Sequence, residues 1–315
     1  SDGINFSTLG DGFSLSQPLD IPNSYYGDFN GDGIVDIYQK TGNIILINKN
    51  DKSQLLNTVS DSYGATTKIN YDYLTNKDIY TRNPDIAFGT YNTPFAPRAH
   101  YLQIAQLVAS SVETENGLGT FNKKSFSYSG LSIHIEGKGL LGFKSIQSYD
   151  NASYVYNLTE NTINPNYFIS LPSKNESGFI LSSKIKTNET YINYEIHNQT
   201  NNRIYPALFS TLNYNRTPDQ TIISTSKTIY EYDANGYLYG NPSKITSLSD
   251  ETEILPIVPN ADDLNKYKYK TVTEIQYQTA DVVNWVNDLV TSKKVTTKVS
   301  YTGSPEISRT TTYNY

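Results

Sequence analysis

An all-β fold is what this 315-residue sequence predicts, and three observations carry the prediction. Tyr occurs 28 times and, with Thr, Ser and Asn, fills positions where strong helix formers would otherwise stand. Tyr and Thr suit the pleated, half-buried surface of a strand. Long segments alternate polar with apolar residues, as in Thr67-Lys-Ile-Asn-Tyr-Asp-Tyr73 and Lys270-Thr-Val-Thr-Glu-Ile-Gln-Tyr277, which is the period of a strand and not of a helix. Gly, Asp and Asn clusters separate these segments as turns do.

Taken in order, residues 1–56 read as one domain of short strands, with Ile34-Val-Asp-Ile-Tyr38 and Asn43-Ile-Ile-Leu-Ile47 joined by the turn Lys40-Thr-Gly-Asn43. From residue 57 to 315 the texture is that of longer strands: Thr67–Tyr73, Ser125–Tyr128, Thr225–Tyr232, Lys270–Tyr277, Lys293–Tyr301 and Ser308–Tyr315. Ile185–Ile196 fits one long strand or two. Pro97–Val112 carries Ile104, Leu107, Val108 and Val112 near helical spacing, yet Val-Ala-Ser-Ser-Val is equally a strand; Asp281–Leu289 fits a helical turn or two. Residues 76–99 and 249–265, with their prolines, read as long loops.

Composition excludes several classes. The formal net charge is −6 and Lys and Arg gather nowhere into a patch, so no nucleic-acid partner is expected. No apolar run reaches the roughly 18–20 residues of a membrane helix, so no membrane span is expected. Without Cys there is neither a disulfide staple nor a thiol nucleophile. His100, His134 and His197 are scattered, and no nucleophile elbow, phosphate loop or zinc spacing is present. Glu113 and Glu115 fall on one face of a strand, where carboxylates are ordinarily just solvated. The chain is therefore expected not to be an enzyme. Lack of Met even at position 1 is what a segment of a longer polypeptide would show.

One motif carries chemistry. Asp28-Phe-Asn-Gly-Asp-Gly-Ile-Val-Asp36 places oxygen donors at Asp28, Asn30, Asp32 and Asp36, with Ile34 able to add its backbone carbonyl. Alternate residues of a tight loop point inward, and calcium takes six or more such oxygens. Three carboxylates within nine residues would repel one another without a cation. The loop is no EF-hand, because Gln39 stands where the bidentate Glu would be and a strand follows. Its role is expected to be structural, as Ca2+ with five protein ligands retains little open coordination. The motif Gly27-Asp28-Phe-Asn-Gly-Asp-Gly33 before an apolar-Asp-apolar strand resembles the FG-GAP or VCBS repeat of calcium-binding propeller blades.

A second resemblance covers most of residues 55–300. Leu55-Leu-Asn-Thr-Val-Ser-Asp-Ser-Tyr-Gly64-Ala-Thr-Thr-Lys-Ile-Asn-Tyr71 looks like the segment that follows the propeller in Tc-toxin B components, SpvB-type proteins and related Rhs-family proteins. Val108–Val112, Phe126-Ser-Tyr128-Ser-Gly130, Glu136-Gly-Lys-Gly139-Leu-Leu-Gly142-Phe143 and Tyr149-Asp150 then follow that family's pattern in order, with Phe126 in place of a Tyr. Ile229-Tyr-Glu-Tyr-Asp233-Ala-Asn-Gly236 is similar to a YD repeat, and Trp285–Ser292 to a Trp-containing stretch further on. Residues 160–225 have no recognisable counterpart. On the residues themselves, Gly139 and Gly142 allow a left-handed backbone before a strand at Phe143, and Asp233–Gly236 suits a hairpin turn.

This resemblance implies a calcium-clamped propeller-type blade followed by a curved antiparallel β-sheet wall, part of a hollow shell that encloses a toxin cargo. It implies a secreted or bacterial-surface location. The implied partners are the remainder of the parent polypeptide or a shell-completing subunit, and a toxin cargo polypeptide. The family's toxin enzymes and self-cleaving aspartates lie in other regions. The alternative is a surface adhesin module that uses a Tyr-rich face to hold a glycan or a partner.

Overall fold

A computed structural model of the chain describes residues 6–7, 23–29, 35–48, 55–82, 99–199, 203–233, 240–251, 267–279, 289–299 and 307–313. Among them the regular structure is β-strand, and no α-helix is present. The chain divides into two compact units, Ser1–Tyr154 with Ile163–Ser170, and Val155–Thr162 with Leu171–Tyr315.

In the first unit, β1 (Phe6–Ser7), β2 (Ser24–Gly27), β3 (Asp36–Gln39) and β4 (Ile44–Asn48) make a four-stranded antiparallel sheet in the order β1-β4-β3-β2. The expected β3–β4 hairpin is present. Asn43 donates its N–H to the Lys40 carbonyl at 3.3 Å, and Gly42 and Asn43 take positive φ of 93° and 54°, the residue types that tolerate it. Next come β5 (Thr58–Ser60), β6 (Thr66–Tyr73), β7 (Tyr80–Thr81), β8 (Ala99–Tyr101), β9 (Leu107–Glu115), β10 (Phe121–Ser129), β11 (Ser132–His134), β12 (Gly139–Gly142) and β13 (Ser145–Asp150). Strands β5, β6, β9, β10 and β13 pair in that order, all antiparallel, while β7 joins β10 in parallel. Strands β8, β11 and β12 form a small separate sheet.

Of the stretch 97–112, open between helix and strand in the sequence, residues 99–101 are β8 and residues 107–112 begin β9. Pairing on both sides decides it: β9 bonds β6 along one edge and β10 along the other, so its backbone groups are satisfied in the ladder. Gly139 and Gly142 do take positive φ, 72° and 97°. Phe143, however, opens no strand. It lies between β12 and β13, and its ring packs 4.9 Å from that of Tyr128. Together with Leu74 at 0% exposure, Tyr80 and Leu131, these rings form the core of the unit. Tyr80 is pinned at its polar end, its hydroxyl donating to the Leu102 carbonyl and accepting from the Leu131 N–H, as a buried phenol requires.

The second unit holds β14 (Val155–Ile163), β15 (Ser170–Ile180), β16 (Lys184–Gln199), β17 (Arg203–Arg216), β18 (Ile222–Glu231), β19 (Lys244–Asp250), β20 (Tyr269–Tyr277), β21 (Val290–Val299) and β22 (Ile307–Thr312). They pair in sequence order from β14 to β22, and the order does not return to its start to close a barrel. Ile185–Ile196 is one strand, not two, with irregularities against both neighbours: at Ser177/Gly178 towards β15 and at Asn193/Tyr194 within the pairing to β17. At the first, a side chain on Gly178 would place its Cβ 2.0 Å from the Ile185 carbonyl oxygen, so only glycine lets the two backbones come this close. Leu212, Tyr214 and Leu248 are the buried centre of this unit, with Ile222 and Tyr267 packed against them. The turn Asp233–Gly236 beyond its first residue, the segment Asp281–Leu289 up to residue 288 with Trp285, and most of the loops 76–99 and 249–265 lie outside the described residues.

Candidate functional site

Of the motif expected to hold calcium, the structure describes the two ends, Asp28-Phe29 and Val35-Asp36. Gly27 on β2 pairs with Asp36 on β3, which brings Asp28 and Asp36, the two ends of the motif, to the same end of the strand pair. Asp36 is fully buried, and its Oδ2 accepts the Phe29 N–H at 2.9 Å. Phe29 in turn lies edge-on to Tyr38, ring centres 6.3 Å apart. Asp28 is exposed at the mouth. The other expected ligands, Asn30, Asp32 and Ile34, lie outside the described residues, and among the described residues no group of three His, Asp or Glu gathers as a metal cluster. Both described ends carry carboxylates, the donor type that calcium takes, and the Asp36 carboxylate is oriented by the Phe29 N–H.

The residues considered for catalysis are dispersed. His134 is 7% exposed, accepts the Lys138 N–H on Nδ1 at 3.3 Å and packs on Phe168 with 4.3 Å between rings. That is the environment of a turn-closing side chain. His100 stands opposite Ile133 in the β8–β11 pairing, and half-buried His197 meets exposed Glu195 at 3.3 Å. Glu113 accepts from Asn70 at 3.2 Å and faces Lys123 at 3.9 Å, whereas Glu115 caps the Thr66 N–H.

A charged lattice that sequence reading missed lies on one face of β14–β17. Lys174 on β15 reaches Glu176 at 2.8 Å and Glu189 of β16 at 3.0 Å. Lys184 bonds Glu176 at 3.0 Å and Lys186 bonds Glu189 at 2.8 Å. The hydroxyls of Tyr156 and Tyr191 donate to Glu176 and Glu189 at 2.9 and 2.8 Å, and Arg216 stands 3.8 Å from Glu189, whose side chain is 3% exposed. Burial alone would raise the Glu176 carboxyl, but hydrogen bonds from Lys174, Lys184 and Tyr156 outweigh it and bring it down to about 2. Glu189 is lowered against its own burial by Lys186, Tyr191 and Lys174. Tyr156 is pushed up, first by burial and then by its carboxylate neighbour. The signal for this lattice was present as Lys174-x-Glu176 and Lys186-x-x-Glu189, but it becomes a cluster only once four strands are in register.

The opposite face is a ladder of neutral polar groups. Thr159 bonds Asn175 at 3.0 Å, Thr190 bonds Asn213 at 2.6 Å and Asn213 bonds Ser226 at 3.3 Å. A parallel row runs from Asn188 to Asn215 at 2.7 Å and on to Ser224 at 2.9 Å. The chain's wealth of Asn, Ser and Thr is thus spent on cross-strand hydrogen bonds.

These features define an open antiparallel sheet in the second unit, clamped by charge on one face and by amides and hydroxyls on the other, while the acidic motif belongs to the four-stranded sheet of the first unit. Residues 16–171 match the family model of the insecticide toxin TcdB middle/N-terminal region. Among solved structures, a chain in the crystal structure of TcdB2-TccC3-Cdc42 superposes with a TM-score of 0.61 at 13% identity, covering 88% of this chain and 17% of that chain. At that identity the likeness is one of fold, and this chain spans only 17% of that longer chain. No curated protein matches it.

Proposed function

We propose that the chain is a non-catalytic wall segment of a large secreted Tc-toxin-like or Rhs-like protein, forming part of a β-shell around a cargo polypeptide. The observation that carries this reading is the second unit's nine strands, paired strictly in sequence order without closing on themselves. A sheet that grows by addition of neighbours can be extended by further strands of a parent polypeptide or a shell-completing subunit. The test is photo-cross-linking in the complete parent protein loaded with cargo, with the probe at Asn213 on one face or Glu274 on the other. Capture of cargo from one face is expected; capture from neither overturns the reading. Hydrolase and glycosidase screens are expected to find no turnover, and turnover abolished by Glu113→Gln or His134→Ala would contradict the non-catalytic role.

The same reading gives the N-terminal sheet a calcium clamp of the FG-GAP or VCBS kind, with Ca2+ held by Asp28, Asn30, Asp32, the Ile34 carbonyl and Asp36. Binding to the folded state alone raises stability by mass action, about 2.7 kcal/mol at a hundredfold excess over Kd. Titration calorimetry decides it: heat and a higher Tm for the wild type, neither for Asp32→Ala. Equal behaviour of the two would leave the loop an acidic turn.

A further inference from the structure

A groove of about 220 Å³ runs along β20 and β21, lined by Lys270, Val272, Glu274, Lys294, Thr296 and Lys298. Its rungs follow from the register: Lys270 stands directly opposite Lys298, Val272 opposite Thr296 and Glu274 opposite Lys294. The last rung is neutral, its ion pair closing at 3.5 Å. The first is not. Lys270 and Lys298 are half-buried like charges facing each other across an antiparallel pair, and neither has a carboxylate partner among the described residues. Directly opposed like charges weaken a sheet, so this rung costs the fold stability and, in a chain of net charge −6, concentrates positive potential where a partner's carboxylate would be drawn.

We propose that this groove binds an extended acidic polypeptide segment, which lays a carboxylate between Lys270 and Lys298 and uncharged side chains along Val272 and Thr296. The inference does not depend on the wall reading. Same-face side chains of an extended peptide recur about every 7 Å, so one carboxylate at the lysine rung is followed by an uncharged side chain at the Val272 rung and another near Glu274. A sulfated polysaccharide or a nucleic acid carries charge on nearly every unit and would set an anion against Glu274. The site therefore selects isolated carboxylates over continuous polyanions.

The test uses the full chain and a fluorescent peptide in which one Asp is flanked by Thr and Val, followed by anisotropy at low salt. Binding is expected to weaken about tenfold in the double variant Lys270→Gln/Lys298→Gln, as loss of two partly exposed ion pairs would give, and to weaken with added salt. The same variant is expected to melt at a higher temperature than the wild type, since the repulsion is gone, which also shows that it folds. Equal peptide affinity for wild type and variant, an Asp→Asn peptide that binds as well, or tighter binding of heparin or an oligonucleotide than of the peptide would each overturn the proposal.

Discussion

The two units solve the same problem in different ways. Both are built of antiparallel strands with alternating side chains, and both must hold a broad sheet in register. The first does it with rings and aliphatic groups: Leu74, Tyr80, Leu131, Tyr128 and Phe143 close over one another, and polar atoms are used to pin a phenol. In the second, beside a small core of Leu212, Tyr214 and Leu248, the load passes to a lattice of Lys, Glu and Tyr hydroxyls on one face and an amide ladder on the other. The contrast shows that alternation fixes a strand without fixing what its buried face is made of. An apolar face is specified by volume, a charged one by partner geometry, and the second is far less forgiving of a missing partner.

The comparison can be broken at several points. Leu74→Ala should have the largest effect, about 4 kcal/mol off the first unit, read by denaturant unfolding and little changed by salt or pH. Glu189→Gln should cost the second unit about 3 kcal/mol, because Lys174 and Lys186 stay behind without their carboxylate; a cost near zero would mean that the lattice is incidental. The lattice should also show in acid. Glu176 and Glu189 titrate lower folded than unfolded, so their stabilisation is complete above the ordinary carboxylate range near pH 4.5 and is lost as pH falls towards 2. Acid titration followed by hydrogen exchange should therefore open the second unit over that window, and Glu176→Gln should flatten the dependence.

Smaller effects sharpen the distinction. Tyr80→Phe keeps the ring but leaves the Leu131 N–H and the Leu102 carbonyl without their partner, a loss of about 1–2 kcal/mol in the first unit only. Asn213→Ala removes the middle of the polar ladder and should cost about 1 kcal/mol or less, since water can replace a half-buried amide. If Asn213→Ala matched Glu189→Gln, the two faces would be equal contributors and the contrast between charge and amide would fail.

Much of this was legible in the sequence wherever the signal was local. The β3–β4 hairpin, the alternation of β6 and β20 and the positive φ of Gly139 and Gly142 depend on a few adjacent residues, and each was readable from them. The stretch 97–112 was ambiguous because Ile104, Leu107 and Val108 suit a helix as well as a strand, and only the pairing of β9 with β6 and β10 settles it. Ile185–Ile196 was ambiguous because glycine at 178 and the irregularities beside it act between strands. The acidic motif is read from its spacing, and of its residues the structure describes Asp28, Phe29, Val35 and Asp36. The ionic lattice was not legible, for its members come from β14, β15, β16 and β17 and have no common period in the chain. The lysine rung was hidden for the same reason: Lys270 and Lys298 meet only through register.

The pairing order of the second unit also bears on how such a chain comes into being. Every strand from β15 to β21 finds its two partners immediately before and after it in the sequence, so no strand waits for a distant one. Contacts between sequence neighbours close small loops and form fast, and a chain emerging from the ribosome presents them one hairpin at a time. Pulse-labelled hydrogen exchange on nascent chains should find protection advancing from β14 towards β22 in the order of synthesis. A sheet of this kind can be lengthened by appending hairpins at its growing end while the strands already laid down keep the neighbours they have.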